Sequence, residues 1–158
     1  MTSSQVAMLA LLIGFVAGLR TMTSPAVVSW AAHLGWLNLQ NSKLAFLGSL
    51  AAVGFLTAGA IGEFIADKLP RTGKRTAPGP LFARMISGGL CGAALFIASN
   101  QSTAIGVVLG AIGSLGGSFA GYYARTGLVR RLAVADISVA IPEDLVAIGL
   151  AILIVSCL

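Results

Sequence analysis

The chain has 158 residues, of which 57% are apolar and only 9% charged, with a formal net charge of +5. Soluble domains carry about 25% charged residues, and a chain this short cannot enclose so much apolar surface in one core. The basic residues lie between apolar runs rather than in a patch with interleaved aromatic residues, which argues against nucleic acid as a partner. We therefore expect one integral membrane domain over residues 1–158, with membrane lipids as its partners.

Six apolar runs follow one another along the chain, at about 5–19, 25–39, 44–66, 80–98, 102–124 and 138–157. They predict an all-α, polytopic helical membrane protein with about six transmembrane or partly re-entrant helices. The third and fifth runs reach the about 20 residues that a bilayer span requires, whereas the first two fall short. Short, interrupted segments are a pointer to a transport site. The alternative is that their polar ends simply extend each helix.

The basic residues are distributed unevenly between the two sides that six crossings would create. Nine of the ten lie in or beside the loops at 20–24, 67–79 and 125–137, and only Lys43 falls on the other side. Because basic loops are retained in the cytoplasm, we expect these three loops to be cytoplasmic. Both termini are then expected on the opposite side of the membrane.

Residues 20–73 and 75–127 form two candidate internal repeats. The first block opens with RTMTSP and the second with RTAPGP, and each block ends with RTG. Each block would contribute one helix pair. Two pairs in the same orientation predict a pseudo-two-fold axis along the membrane normal.

Small residues recur at every fourth position on several runs. Gly54, Ala58 and Gly62 do so on the third run, and Gly113 and Gly117 on the fifth. This spacing allows helix backbones to approach closely in lipid. It predicts tight packing within one chain or, alternatively, the seam of a homo-oligomer.

The two segments that begin with RT are candidate anion sites. In the first, Ser24 is suited to the N-cap position and Pro25 to the first helical position. A guanidinium beside free backbone N–H groups at a helix N-terminus favours a bound anion. The candidate substrate-binding residues are Arg20, Thr21, Ser24, Arg75 and Thr76. The alternative is that these arginines mark topology and contact lipid phosphates.

Acidic residues are few, and an ionisable group at membrane depth is a candidate for function. The candidate proton-coupling or ion-pair residues are Glu63, Asp67 and Glu143; the structural alternative is pairing with arginine. The sequence contains no nucleophile-and-base pattern, no metal-ligand spacing and no phosphate loop with its lysine. We therefore expect neither an enzyme, nor a metal site, nor a cofactor.

Three stretches of the chain resemble a known family. They read GLRTMTSPAVVSWAAHLGWL, GEFIADKLPRTGKRTAPGPLFARMISGGLCGAAL and PEDLVAIGLAILIVS. They resemble small bacterial inner-membrane proteins catalogued as domain of unknown function 4126. The resemblance implies a compact helical domain in the bacterial cytoplasmic membrane. It implies no activity and no catalytic residues.

These patterns favour a small transporter or channel for an anionic solute or lipid headgroup, working as a homo-oligomer. Arg20 and Arg75 would bind the anion, and Glu63 would couple protons. The alternative is a non-transporting membrane scaffold or anionic-lipid-binding protein, whose basic cytoplasmic face binds anionic lipids.

Overall fold

The fold consists of helices, as the sequence predicted. The structure is a computed structural model that describes residues 1–66, 78–132 and 136–158, with the backbone alone for 128–132 and 136–140. Its helices are α1 (Ser3–Leu19), α2 (Thr23–His33), α3 (Leu50–Ala66), α4 (Pro78–Ala98), α5 (Thr103–Leu132) and α6 (Asp136–Ser156), with a 3-10 helix at Ala45–Gly48 before α3. No strand occurs within these described ranges. The all-α class and the six helices are confirmed.

Two of the described helical segments are long and apolar enough to cross a membrane, Pro78–Ala98 and Thr103–Gly127. The apolar helices Ser3–Leu19 and Leu50–Ala66 are shorter, at 17 residues each. The chain thus has some membrane-helix character, in agreement with its composition. The number of crossings and their orientation remain predictions.

Helices α1 and α5 are in direct backbone contact. A Cβ atom built on Gly14 would lie 2.1 Å from the carbonyl oxygen of Gly110, and one built on Gly18 would lie 2.2 Å from that of Ser114. Because both residue numbers rise together, the two helices run in the same direction. Only glycine allows so close an approach at these positions.

Helices α4 and α5 pack equally closely, in opposite directions. A Cβ on Gly92 would lie 2.2 Å from the carbonyl oxygen of Gly106, and one on Gly110 would lie 2.1 Å from that of Gly88. The three helices α1, α4 and α5 therefore form a dense centre. Here the small residues serve packing within one chain, the first of the two possibilities that their spacing allowed.

Helix α3 lies at the periphery, with Val53 as its one buried residue. A Cβ on Gly54 or Gly62 would meet nothing within 4 Å. The proposed repeat matches Gly62 with Gly116 and Gly59 with Gly113. Of these four, only Gly113 has neighbouring backbone so close that an added Cβ would lie 2.1 Å from a carbonyl oxygen. Matched positions thus differ in packing, and the internal repeat remains a prediction.

Helix α2 ends earlier than the predicted 25–39. Gly35 has a φ of +80°, and the N–H groups of Gly35 and Trp36 donate to the carbonyl oxygens of Ala32 and Ala31. This is the Schellman arrangement, in which a left-handed glycine stops a helix. The chain that follows, residues 34–49, buries three leucines and lines a cavity of about 550 Å³. The apolar residues of this loop resembled a continuation of the helix in sequence, since apolar content alone does not separate loop from helix.

Candidate functional site

Helices α1 and α2 are separated by only three residues, 20–22. Helix α2 folds back along α1, since the hydroxyl of Ser24 donates to the carbonyl oxygen of Ile13 at 3.2 Å, six residues before α1 ends. Arg20 is buried, as are the first residues of α2. We call residues 20–22 the α1–α2 break; Arg20 is buried within the helix bundle, and Thr21 and Met22 are partly buried.

The backbone N–H groups of the two residues just before α2, which we call the α2 amides, hold a carboxylate. Glu63 of α3 accepts a hydrogen bond from the N–H of Thr21 on one oxygen and from the N–H of Met22 on the other, both at 2.8 Å. The positive end of a helix favours such a negative group. The N-terminus of α2 is therefore an anion site, and the anion in it belongs to the protein.

The carbonyl groups at the α1–α2 break also have partners from distant helices. The hydroxyl of Ser87 on α4 donates to the carbonyl oxygen of Thr21, and the hydroxyl of Ser118 on α5 donates to that of Gly18 at 3.2 Å. Buried backbone groups need such partners because no water reaches them. Helices α3, α4 and α5 together thus supply hydrogen-bond partners for the backbone at and just before the α1–α2 break.

A buried ion pair completes the site. The guanidinium of Arg20 pairs with the carboxylate of Asp144 on α6, and the two residues are 1% and 0% exposed. The ring of Phe64 on α3 lies below the guanidinium, with its centroid 4.7 Å from Cζ, a cation–π contact. The charges of both signs are therefore enclosed by protein rather than turned toward solvent or lipid.

The α1–α2 break lies near the middle of the long helices. Helices α4 and α6 have 21 residues each, and Ser87 and Asp144 are the tenth and ninth of these. At 1.5 Å per residue, they lie about 12–14 Å from the N-terminal ends of helices about 31 Å long. If α4 crosses a bilayer, the charges of Arg20 and Asp144 lie close to its midplane.

Comparison with known proteins identifies a family over nearly the whole chain. The family described as Domain of unknown function (DUF4126) matches residues 7–157. The chain is a member of this family. The resemblance found in the sequence is thereby confirmed. No curated protein and no solved structure shows significant similarity to this DUF4126 chain.

The structure brings together some of the predicted site residues of the DUF4126 chain. Arg20, Thr21 and Glu63 meet at the α1–α2 break, where Glu63 is bound by backbone amides. Ser24 lies one turn away. The prediction that Ser24 is the N-cap of α2 was wrong. Helix α2 begins at Thr23, and its N-cap, Met22, makes no side-chain hydrogen bond of its own. The carboxylate of Glu63 on α3 instead accepts from the N–H groups of Thr21 and Met22, just before the helix. An ionised acceptor binds amides more strongly than a hydroxyl does.

The remaining predicted residues are Arg75, Thr76, Asp67 and Glu143. Arg75, Thr76 and Asp67 lie outside the described residues. Glu143 is half-buried on α6, and the carboxylate paired with Arg20 belongs to its neighbour, Asp144. The sequence contained a signal for this choice. Asp144 shares one helix face with the buried residues Ala147, Ala151, Ile154 and Val155.

Proposed function

We propose that this DUF4126 protein is a small polytopic transporter for an anionic solute or lipid headgroup, with its binding site at the α1–α2 break. The observation that carries the proposal is that Arg20 and the α2 amides hold the protein's own carboxylates near the middle of α4 and α6. Ionisable groups at membrane depth are costly and mark functional sites. Broken helices whose half-helix ends face an anion form the substrate sites of several transporter folds.

In the structure, the proposed site is occupied by two carboxylates of the protein itself, those of Glu63 and Asp144. A transported anion would take the place of Glu63 rather than that of Asp144. Helix α3 has a single buried residue and can move away, whereas Asp144 is fully buried on α6. The incoming anion would then bind the amides of Thr21 and Met22 beside the positive charge of Arg20.

Glu63 would also couple the anion to a proton. A protonated Glu63 carries no charge and binds the two amides of α2 less strongly. Proton uptake by Glu63 would therefore accompany entry of the anion. The chain would lie in the bacterial cytoplasmic membrane with the basic segments 67–79 and 125–137 in the cytoplasm, as expected from the charge distribution. The third basic segment, 20–24, would lie at membrane depth instead of in the cytoplasm.

Anion flux into protein-containing vesicles tests the proposal. Labelled inorganic phosphate, butyrate and a long-chain fatty acid would be offered to vesicles with an imposed proton gradient. We expect faster uptake of at least one anion than in protein-free vesicles, and a loss of about tenfold or more in Arg20→Gln, because a lost charged hydrogen bond is worth about 1.5–3 kcal/mol. Lys43→Gln, which removes an exposed charge far from the break in sequence, should transport normally.

Glu63→Gln and Arg20→Lys extend the test to variants with a smaller structural change. In Glu63→Gln, uptake should no longer respond to the proton gradient. Arg20→Lys keeps the charge and should retain part of the uptake. Equal uptake by wild type and a folded Arg20→Gln variant would rule out the α1–α2 break as the transport site, and no uptake of any anion by wild type would rule out transport.

A non-transporting scaffold or anionic-lipid-binding protein is the second candidate. The glycine contacts among α1, α4 and α5 favour it, since they leave these helices in backbone contact. Under this alternative the ion pair of Arg20 only stabilises the fold. Binding of anionic vesicles that is unchanged in Arg20→Gln, with no flux, would support the scaffold.

A further inference from the structure

An open apolar groove adjoins the α1–α2 break, and it is lined by residues of α2, α3 and α6. Its volume is about 400 Å³, within the range of about 300–1,000 Å³ found for ligand sites. Its apolar lining includes Ala26, Val27, Trp30, Ala60, Ile61 and Ile148. The hydroxyl of Thr57, one of its polar groups, already accepts a hydrogen bond from the indole N–H of Trp30 at 3.1 Å. The groove is therefore suited to a hydrocarbon chain.

Two residues connect this groove with the charged site. Phe64 lines the groove, and its ring also lies below the guanidinium of Arg20. Thr23 lines the groove as well, and it directly follows Met22, whose N–H binds the carboxylate of Glu63. One end of the groove therefore lies against the cation and the amides that bind an anion.

We propose that the ligand of this site is an amphipathic anion, with one acyl chain in the groove and its carboxylate or phosphate at Arg20 and the α2 amides. This inference rests on the proposed function and narrows its substrate class. A small hydrophilic anion would use the charged part alone, and a neutral apolar molecule would use the groove alone. A ligand with both parts is complementary to the whole surface that Phe64 and Thr23 join.

Replacing Glu63 by the ligand's head group keeps the charge of the site unchanged. The chain of the ligand would lie along Ala60 and Ile61, one turn before Glu63 on the same helix. A ligand bound in this way would hold α3 in contact with α2 through its hydrocarbon chain while α3 gives up its hydrogen bonds to the amides.

Quenching of tryptophan fluorescence by a brominated long-chain fatty acid tests the inference in the detergent-purified chain. The protein has two tryptophans, and Trp30 lines the groove. Trp36→Phe leaves Trp30 as the reporter, and saturable quenching is expected. Both tryptophans are exposed, but Trp36 does not line the groove. Trp30→Phe therefore reports partition into the micelle alone and should show only weak, non-saturable quenching.

A matched pair of variants on α3 tests the groove itself. Ala60→Phe fills the groove, and the affinity for the fatty acid should fall by about tenfold or more. Ala58→Phe makes the same change at an exposed position that does not line the groove, and affinity should stay within about twofold of wild type. The brominated alcohol of equal length should bind more weakly than the acid by a similar factor. A brominated alkyl phosphate of equal length separates carboxylate from phosphate head groups.

The outcomes separate this inference from the proposed function. If phosphate or butyrate is transported while the brominated acid does not quench Trp30, or quenches it equally in Ala60→Phe, the amphipathic ligand is ruled out and anion transport remains. If acid and alcohol bind equally and Arg20→Gln binds both normally, the groove binds apolar molecules only, which overturns the inference. Loss of fatty-acid binding in Ala60→Phe and in Arg20→Gln, but not in Ala58→Phe, supports it.

Discussion

Arg20 and Asp144 are 124 residues apart in the chain, yet their charges are buried together. Removing one partner leaves an isolated buried charge, which costs about 3–5 kcal/mol, whereas replacing both by apolar residues is often neutral. We therefore expect Arg20→Met to lower the unfolding temperature strongly and Arg20→Met/Asp144→Leu to regain most of the loss. Thermal unfolding in detergent would measure both.

The same double variant distinguishes a structural from a binding role. It should regain stability without regaining anion binding, because the cation is gone in both variants. Stability and fatty-acid affinity that recover together would show that Arg20 only serves the fold.

Glu63 competes with any external anion for the amides of Thr21 and Met22. In Glu63→Gln the competing charge is absent, so we expect the affinity for the fatty acid to rise by about tenfold while stability falls by about 1–2 kcal/mol. Titration of Trp30 fluorescence in the Trp36→Phe background would measure the affinity. Glu143→Gln, a change of the same type on α6, should raise affinity little. A weaker affinity in Glu63→Gln would mean that Glu63 helps to bind the ligand.

Many of the residues that form the site could be predicted from the sequence, but the residue that pairs with Arg20 could not. Arg20, Thr21 and Glu63 are recognisable because polar residues are conspicuous in apolar runs. The partner of Arg20 depends on which helices are neighbours. In a chain this apolar, the surfaces facing other helices and those facing lipid have similar composition. The periodicity of α6 therefore places Asp144 on the apolar face of that helix, but it does not show which neighbouring helix this face contacts.

At the scale of the helices, glycine has two different roles. A Cβ on Gly110 would lie 2.1 Å from the carbonyl oxygen of Gly88, whereas a Cβ on Gly54 would meet nothing within 4 Å. We expect Gly110→Ala to destabilise the protein by about 1–3 kcal/mol or to prevent folding, because backbone cannot move aside easily. Gly54→Ala should be neutral or stabilise α3 by about 0.5–1 kcal/mol. Thermal unfolding of the two variants would compare them.

A loss of stability in Gly54→Ala as large as that in Gly110→Ala would indicate a neighbour on the exposed face of α3. That outcome would favour the homo-oligomer seam, because a second copy packed on Gly54 would meet the added methyl group.

The end of α2 was predicted too late, at residue 39, although Gly35 signals an earlier end, since other residues seldom adopt its left-handed conformation. The α1–α2 break was visible as a cluster of polar residues with a proline. The burial of that break was not visible, since it depends on hydroxyl groups from α4 and α5 and a carboxylate from α3.

At the scale of the whole molecule, the predicted orientation can be tested by labelling single cysteines. In a Cys91→Ser/Cys157→Ser background, Thr2→Cys should react with a membrane-impermeant maleimide from outside the cell. Thr126→Cys lies near the end of α5, which runs in the same direction as α1. It should react only after the membrane is permeabilised, because basic segments remain in the cytoplasm. Both positions are exposed. Labelling of both from the same side would contradict the topology.

Helix α2 has 11 residues against 17 in α1, a difference of about 9 Å along the axis, and a loop with its cavity replaces the missing turns. At membrane depth, non-helical backbone is tolerated only where protein or water surrounds it. Water in this cavity would reduce the thickness of the low-dielectric layer that separates the two aqueous phases. The transmembrane voltage, worth about 2.3 kcal/mol per elementary charge at 100 mV, would then fall most steeply beside Arg20 and Glu63. A displacement of Glu63 would accordingly produce an electrical signal.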